Sequence, residues 1–439
     1  MKKISIQKIF CFISMLFILS CCIFYGTRFI KLYLENKEVE KVEKNSLVKV
    51  IKENNDNNKN FKVINGETYF TNKENSNYLL YSNILWRIIK IQGDNSIVLI
   101  SDSSVTTLAY GKELTNETSY INKWLNLSDE EYSGILEKSL NKKEHYLQNT
   151  IYCNDTVEKL TNNPCEDIKN DKYISLLSVI DYLNIGSKDS YLINDEYFYL
   201  GNTNEKKKIW YVTEDGNTSL STGNDIIGVR PVITIKANID YVKGNGTKDN
   251  PYTIEKDYGL FGSYVKLDDN LWRIYQVNDT EVRLMLNDYL KVNKKNLEYN
   301  YSVINSYYND TKANSIAYYL NKTFLNTLSF KDKIKEVSWS NGYYNQDTLF
   351  DYKYALKDKI NTKVALMSIG DIYLNSKLTN YFTMTGSSNR GSMVFSIQNN
   401  QKPYAKYITQ TINVVPTISL DKDLLTKGNG TYDSPYEME

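Results

Sequence analysis

The sequence predicts an α+β protein: two tandem homologous domains, each an antiparallel sheet with short helices, behind an N-terminal apolar segment. Three observations carry this: an internal duplication, a strong hairpin signal opening each copy, and short capped helices between early and late strands. In the duplication, Asn83-Ile-Leu-Trp-Arg-Ile-Ile-Lys-Ile-Gln92 returns as Asn270-Leu-Trp-Arg-Ile-Tyr-Gln-Val277. Likewise Lys243-Gly-Asn-Gly-Thr-Lys-Asp-Asn-Pro-Tyr252 returns as Lys427-Gly-Asn-Gly-Thr-Tyr-Asp-Ser-Pro-Tyr436. Trp86 recurs as Trp272 and Gly244 as Gly428, offsets of 186 and 184 residues. A period of that size is that of a domain, above the roughly 20 to 50 residues of solenoid repeats, so each copy should bury its own core.

Taken in order, Ile9 to Tyr25 is an apolar run of 17 residues preceded by Lys2, Lys3 and Lys8. That is near the lower limit for a bilayer-spanning helix, and no small-x-small cleavage pattern follows it. Residues 1–30 therefore read as an uncleaved signal anchor forming a transmembrane helix. Ile18-Leu-Ser-Cys21 loosely resembles a lipoprotein site, so lipidation and cleavage stay open as alternatives. Arg28, Lys31 and Lys37 beyond the span blunt the positive-inside signal. The reading is a single-pass protein of the cell membrane with its C-terminal domains extracytoplasmic. Residues 31–60 read as a stalk ending in the polar linker Glu53-Asn-Asn-Asp-Asn-Asn-Lys-Asn60.

Domain one is assigned to 61–255 and domain two to 256–439. Ile84 to Gln92, the turn Gly93-Asp-Asn95 and Ile97 to Ile100 predict one hairpin; Leu271 to Val277, Asn278-Asp-Thr280 and Val282 to Leu286 predict the other. Apolar residues fall on both faces of these strands, which places them centrally. A helical middle follows: Ser119 to Asn126 corresponds to Ser315 to Asn321, and Ser128-Asp-Glu-Glu131 reads as a capping box. Leu177-Ser-Val-Ile-Asp181 and Met367-Ser-Ile-Gly-Asp371 each predict a helix start, with Ser capping and Asp three residues on. Late strands, Ile209 to Val212 and Val229 to Ile235, are echoed by Met393 to Ser396 and Val414 to Leu420. The Gly-Asn-Gly segments then read as domain-closing turns, since no helix follows to make a phosphate loop.

Composition excludes several chemistries. With 53 basic and 52 acidic residues, net +1, no overall field selects nucleic acid. His145 is the single histidine and has no repeat counterpart, so Ser/His and Cys/His arrangements lack their base. No metal site and no cofactor is expected; acidic clusters such as Asn194-Asp-Glu196 lack a calcium-loop pattern. Cys11, Cys21 and Cys22 sit in the apolar segment, leaving Cys153 and Cys165, 12 residues apart. In an oxidising compartment that pair reads as a disulfide stabilising a short loop by roughly 3 kcal/mol.

One polar pair repeats: Arg87 with Asp102, and Arg273 with Asp288. A charge between Trp and Ile in a central strand is costly to bury alone, so these read as structural ion pairs. Binding through aromatic platforms would fall to Trp124, Trp210, Tyr211 and Trp339, with Arg230 as a further ligand-binding candidate. Abundant Asn, Lys, Ile and Tyr, 38 tyrosines among them, match the coding bias of an AT-rich genome and weaken any reading of the tyrosines as a binding surface.

The succession Leu-Trp-Arg-Ile, Trp-Leu-Asn, Leu-Leu-Ser-x-x-Asp-Tyr, Tyr-Leu-Gly, Trp-Tyr-Val and Gly-Val-Arg-Pro-Val-Ile resembles a family of uncharacterised bacterial surface domains. That family is similar to the C-type-lectin-like and formylglycine-generating-enzyme-like fold group. The resemblance spans nearly all of residues 61–439 and is clearest in Ile227-Gly-Val-Arg-Pro-Val-Ile233. It implies compact C-type-lectin-like domains, loop-rich and suited to display. Formylglycine-generating enzymes use cysteines near their C-terminal region, and none follows Cys165, so that activity is not carried over. Val415 stands where domain one has Arg230.

The expected function is a non-catalytic, membrane-anchored binding or adhesion protein of a bacterial cell surface, with a glycan, cell-wall or protein ligand and no nucleic acid. Two weak sites on one tether gain avidity, which favours duplication without a repeated catalytic group. An enzyme of unrecognised type, or a structural or accessory subunit of a membrane complex, are the alternatives.

Overall fold

The structure is a computed structural model that describes residues 25–28, 46–55, 61–71, 76–111, 119–128, 133–161, 163–340, 359–374, 377–387, 391–398 and 402–438. Most of the apolar run Ile9 to Tyr25 lies outside the described residues. Among the described residues no helix is long and apolar enough to cross a membrane. The chain is sheet-rich α+β, with only short helices between strands.

Each half builds two sheets in the same order. In the first, Tyr78–Tyr81, Ile84–Ile91 and Ile97–Ser101 form an antiparallel meander, continued by Pro231–Ile235 and Ile174–Leu176. In the second, Tyr264–Leu267, Asn270–Val277, Glu281–Leu286, Pro416–Asp421 and Val364–Leu366 occupy the same places. The accompanying sheet runs Thr218–Ser221, Ile209–Val212, Phe198–Thr203, Ile227–Val229, Thr106–Leu108. Its counterpart is Pro403–Tyr407, Met393–Ile397, Tyr381–Gly386, Thr411–Asn413, Glu298–Asn300. Each of these sheets contains one parallel pair, Phe198 beside Gly228 and Tyr381 beside Asn413. The long strand of each meander carries a bulge at one place, Ile88/Lys90 and Ile274/Gln276.

Burial follows the pattern of the sequence. In Ile84–Ile91 every residue but Leu85 is buried, because that strand is covered on both faces. The first core takes residues from Leu47 to Phe261 together with Ile372, and the second runs from Val265 to Leu420. The tract read as stalk departs from that role: Leu47–Asn54 is a helix that buries Leu47, Val48 and Ile51 on the first core. Leu47 N donates to Ile239 O at 3.1 Å, and Asn55 Nδ2 reaches Ser76 O at 3.1 Å. Its spacing of apolar residues, 47, 48 and 51, is that of one helix face seeking a partner.

The Gly-Asn-Gly turns clasp the first strand of each meander. Tyr78 N donates to Gly246 O, and Tyr264 N to Gly430 O, both at 2.8 Å. Gly244 has φ +99° and Gly428 φ +84°, and a Cβ would lie 1.9 Å and 2.1 Å from the carbonyl oxygens of Pro251 and Pro435. No other residue fits there.

Ser119, Ser178 and Ser315 cap their helices, accepting from Asn122 N, Asp181 N and Tyr318 N. The capping box read at Ser128-Asp-Glu-Glu131 lies, but for Ser128, outside the described residues. Ile135–Ser139 begins after Gly134 at φ +65°, whose absent Cβ leaves room for Leu127, while Ser128 exchanges hydrogen bonds with Ser133. Residues 129–132 lie outside the described residues.

The halves are knitted by residues 370–374 of the second. Trp124 Nε1 donates to Gly370 O at 2.8 Å, Thr106 Oγ1 to Asp371 O at 2.7 Å, and Tyr373 N to Val105 O at 3.0 Å. Ile372 belongs to the first core.

Candidate functional site

Lys90 is a lysine in a strand buried on both faces, and a buried ammonium requires partners. Strand pairing sets Tyr69 directly opposite it. Lys90 Nζ lies 3.0 Å from Glu67 Oε2, 3.2 Å from Tyr69 Oη and 3.1 Å from Asp181 Oδ1. Tyr69 Oη in turn lies 3.0 Å from Glu67 Oε2 and 2.8 Å from Asp181 Oδ1. Asp181 comes from the first turn of Val179–Asn184, and Ser178 Oγ donates to its Oδ2 at 2.8 Å. The side chains of Lys90, Asp181 and Glu67 are 9%, 16% and 27% exposed, so Glu67 is the edge of the cluster that meets solvent.

Burial alone would push the Lys90 ammonium toward neutrality, but Asp181, Tyr69 and Glu67 outweigh it and hold its pKa above that of an ordinary lysine. Asp181 is the reciprocal case: burial would raise its carboxyl, and Lys90 with the Tyr69 hydroxyl holds it below the usual range. Burial first, and then the negative charge of Asp181, raise the Tyr69 phenol. All three ammonium protons are engaged, so Lys90 is neither a free nucleophile nor a base. The cluster is a rigid, charged wall.

The second half provides the same acid without the cation. Gln276 replaces Lys90 at an offset of 186, and Asp371 stands at the place of Asp181. Burial there pushes Asp371 up to about 6, against which Ser368 N and Arg283 act only in part. Among the described residues the ion cluster therefore occurs in the first half alone.

It lines a cavity of about 410 Å³ closed on the other side by Ile64, Tyr152 and the Cys153–Cys165 disulfide, with Ile151 and Ile168 at its mouth. Ile151 and Ile168 are exposed. The disulfide loop is laced by Asp155, which accepts from Glu166 N at 2.8 Å and Asp167 N at 2.7 Å. Cys153, Asp155 and Cys165 are near enough to form a metal-ligand group, but the thiols are spent in the disulfide and the carboxylate on these amides.

The expected ligand residues lie elsewhere. Trp124, Trp210 and Trp339 are 1%, 8% and 2% exposed, and none offers a platform. Each indole N–H ends on a backbone carbonyl: Gly370 O, Val157 O and Thr362 O. Tyr211 is half-buried against Tyr197, ring centroids 6.2 Å apart. Arg230 is buried, donating from Nε to Ser101 O at 2.9 Å and from Nη1 to Leu192 O at 2.6 Å; burial lowers its pKa. It is a brace for two chain reversals.

Arg87 reaches Asp102 at 3.5 Å and lies between the rings of Tyr78 and Tyr191, at 3.8 and 4.5 Å. Arg273 and Asp288 do not pair. Arg273 donates to Gly262 O and Leu374 O, while Asp288 binds Lys291 at the surface. The reason is register: Trp86 faces Ser101 but Trp272 faces Leu286, so the second hairpin is one residue shorter at its turn. Asp102 N bonds Leu85 O, and the group bonding Leu271 O is Asn287 N. The counterpart of Asp102 is thus Asn287, and the acid has moved out of reach.

Glu67, Tyr69 and Lys90 were not singled out from the sequence. Lys90 lacks a charged repeat counterpart, and Glu67 and Tyr69 precede the repeated unit. The available signal was a lysine in an otherwise apolar strand. No protein-family model matches the chain, and no curated protein or solved structure matches it.

Proposed function

We propose that this is a membrane-anchored, extracytoplasmic binding protein without catalytic activity, whose first half carries the ligand site in the cavity beside the disulfide. The observation that carries the reading is the closed Glu67–Tyr69–Lys90–Asp181 cluster: charged, buried and saturated, it can shape and orient but has no proton or nucleophile to spare. The apolar run Ile9 to Tyr25 and the Cys153–Cys165 disulfide support placement outside the cytoplasm. The likeness of the repeated motifs to C-type-lectin-like surface domains, together with one strand order in both halves, supports a display scaffold. A protein or peptide ligand fits better than a glycan, because the cavity mouth is rimmed by Ile151 and Ile168 and the indoles are buried.

The test is binding of the full-length chain to a peptide array and a glycan array, repeated with Ile151→Asp/Ile168→Asp. Peptide binding lost in the variant is the expected result. Glycan binding that survives the variant would refute the assignment of ligand and site.

A further inference from the structure

Where the halves meet, a cavity of about 480 Å³ is lined by Ile84, Asp102, Glu196 and Lys248 of the first half and by Arg273 and Ile372 of the second. Two of its charges are matched, since Lys248 Nζ lies 3.6 Å from Asp102 Oδ2. The other two are not. Arg273 donates only to carbonyls, Gly262 O and Leu374 O, and stacks 5.0 Å from the Tyr264 ring; among the described residues it has no carboxylate within ion-pairing distance. Burial holds its pKa below the ordinary arginine value. Glu196 is buried and accepts from Ser104 N at 2.7 Å. Arg230 and Lys402 feel its charge, but among the described residues no cation lies within ion-pairing distance of it.

An anion and a cation thus line one cavity, from two different halves, without neutralising one another. Desolvated charges of this kind cost several kcal/mol each unless matched, and a guanidinium with unused donors suits a carboxylate bidentately. Ile84 and Ile372 add aliphatic lining to the same cavity, and the volume is that of a small-molecule site. We propose that this inter-half cavity binds a free amino acid, its carboxylate on Arg273 and its ammonium on Glu196, with the side chain against Ile84 and Ile372. The ligand would tie the halves together. This cavity shares no lining residue with the one beside the disulfide.

The experiment is isothermal titration of the full-length protein with the twenty free amino acids, each alongside its N-acetyl and C-amide forms. At least one free amino acid should give saturable heat, with both blocked forms weaker by about tenfold or more. Glu196→Gln keeps an acceptor for Ser104 N but removes the charge. It should weaken the free amino acid about tenfold and leave the N-acetyl form unchanged. Arg273→Lys, which keeps the charge and loses the fork, should weaken the free and N-acetyl forms alike. Absence of saturable heat across the panel, equal binding of blocked and free forms, or a folded Glu196→Gln protein with parental affinity would overturn the proposal.

Discussion

Replacing Lys90 by Met removes one ammonium and strands two carboxylates. Methionine is close to lysine in size, so the strand need not repack; the cost is electrostatic. Asp181 keeps the Tyr69 hydroxyl and Ser178 Oγ, at 2.8 Å each, while Glu67 is 27% exposed and recovers part of its hydration. Breaking a buried pair costs about 3–5 kcal/mol. The residual bonds and the exposure of Glu67 put the expected loss near the lower end, about 3 kcal/mol at neutral pH. Asp371, the same position without a lysine and raised to about 6, shows what the change does to Asp181: its carboxyl should move from below to above the ordinary value. A depressed carboxyl contributes stability above its unfolded pKa, which is lost as pH falls through the folded value; a raised one contributes below the unfolded pKa and loses it as pH rises. The parent therefore weakens on acidification while the variant gains, so the gap between them should be smaller at pH 4.5 than at pH 7.5. Urea unfolding of the full-length protein, with hydrogen exchange of the peptide 84–101 as the local readout, measures both. A variant as stable as the parent at pH 7.5, or a gap that does not change with pH, would refute the reasoning. Lys90→Met/Asp181→Leu should recover much of the loss.

Arg87→Met should cost more than Arg273→Met, by about 1 kcal/mol or more in thermal unfolding, because only the first takes a partner from a carboxylate, leaving Asp102 with the exposed Lys248 alone. Equal losses would contradict the register difference between the hairpins. Reducing Cys153–Cys165, or Cys153→Ser, should lower first-half stability by roughly 3 kcal/mol for a loop of this length, read as a reductant-dependent melting shift. Gly244→Ala and Gly428→Ala should each destabilise by about 1–3 kcal/mol or more, from positive φ and the clash with a proline carbonyl; unchanged melting would refute the clasp. Asp371, raised to about 6 from 3.8, contributes stability below its unfolded pKa that is lost as pH rises through 6, so Asp371→Asn should flatten the second half's decline between those two values.

What the sequence determined by itself was local: alternation and turn residues set the two hairpins, Ser178 caps the helix it was read to start, and the spacing of Cys153 and Cys165 suits a disulfide, whereas Met367-Ser-Ile-Gly-Asp371, read as the matching helix start, forms a turn. Each depends on residues close along the chain. The sheet-rich α+β class follows from the same signals. Pairing across the chain was decided by the tertiary structure. One residue fewer in the second hairpin turn moved Asp288 away from Arg273, because register in a sheet has no intermediate settings. Trp124 looked available for a ligand until Gly370, from the other half, took its N–H. Lys90 was legible only as an oddity; that it has three partners is set by the strand Glu67–Phe70 and by the helix that carries Asp181, 91 residues downstream. A buried charge in a strand announces that partners exist, while only the packing of distant elements says which they are.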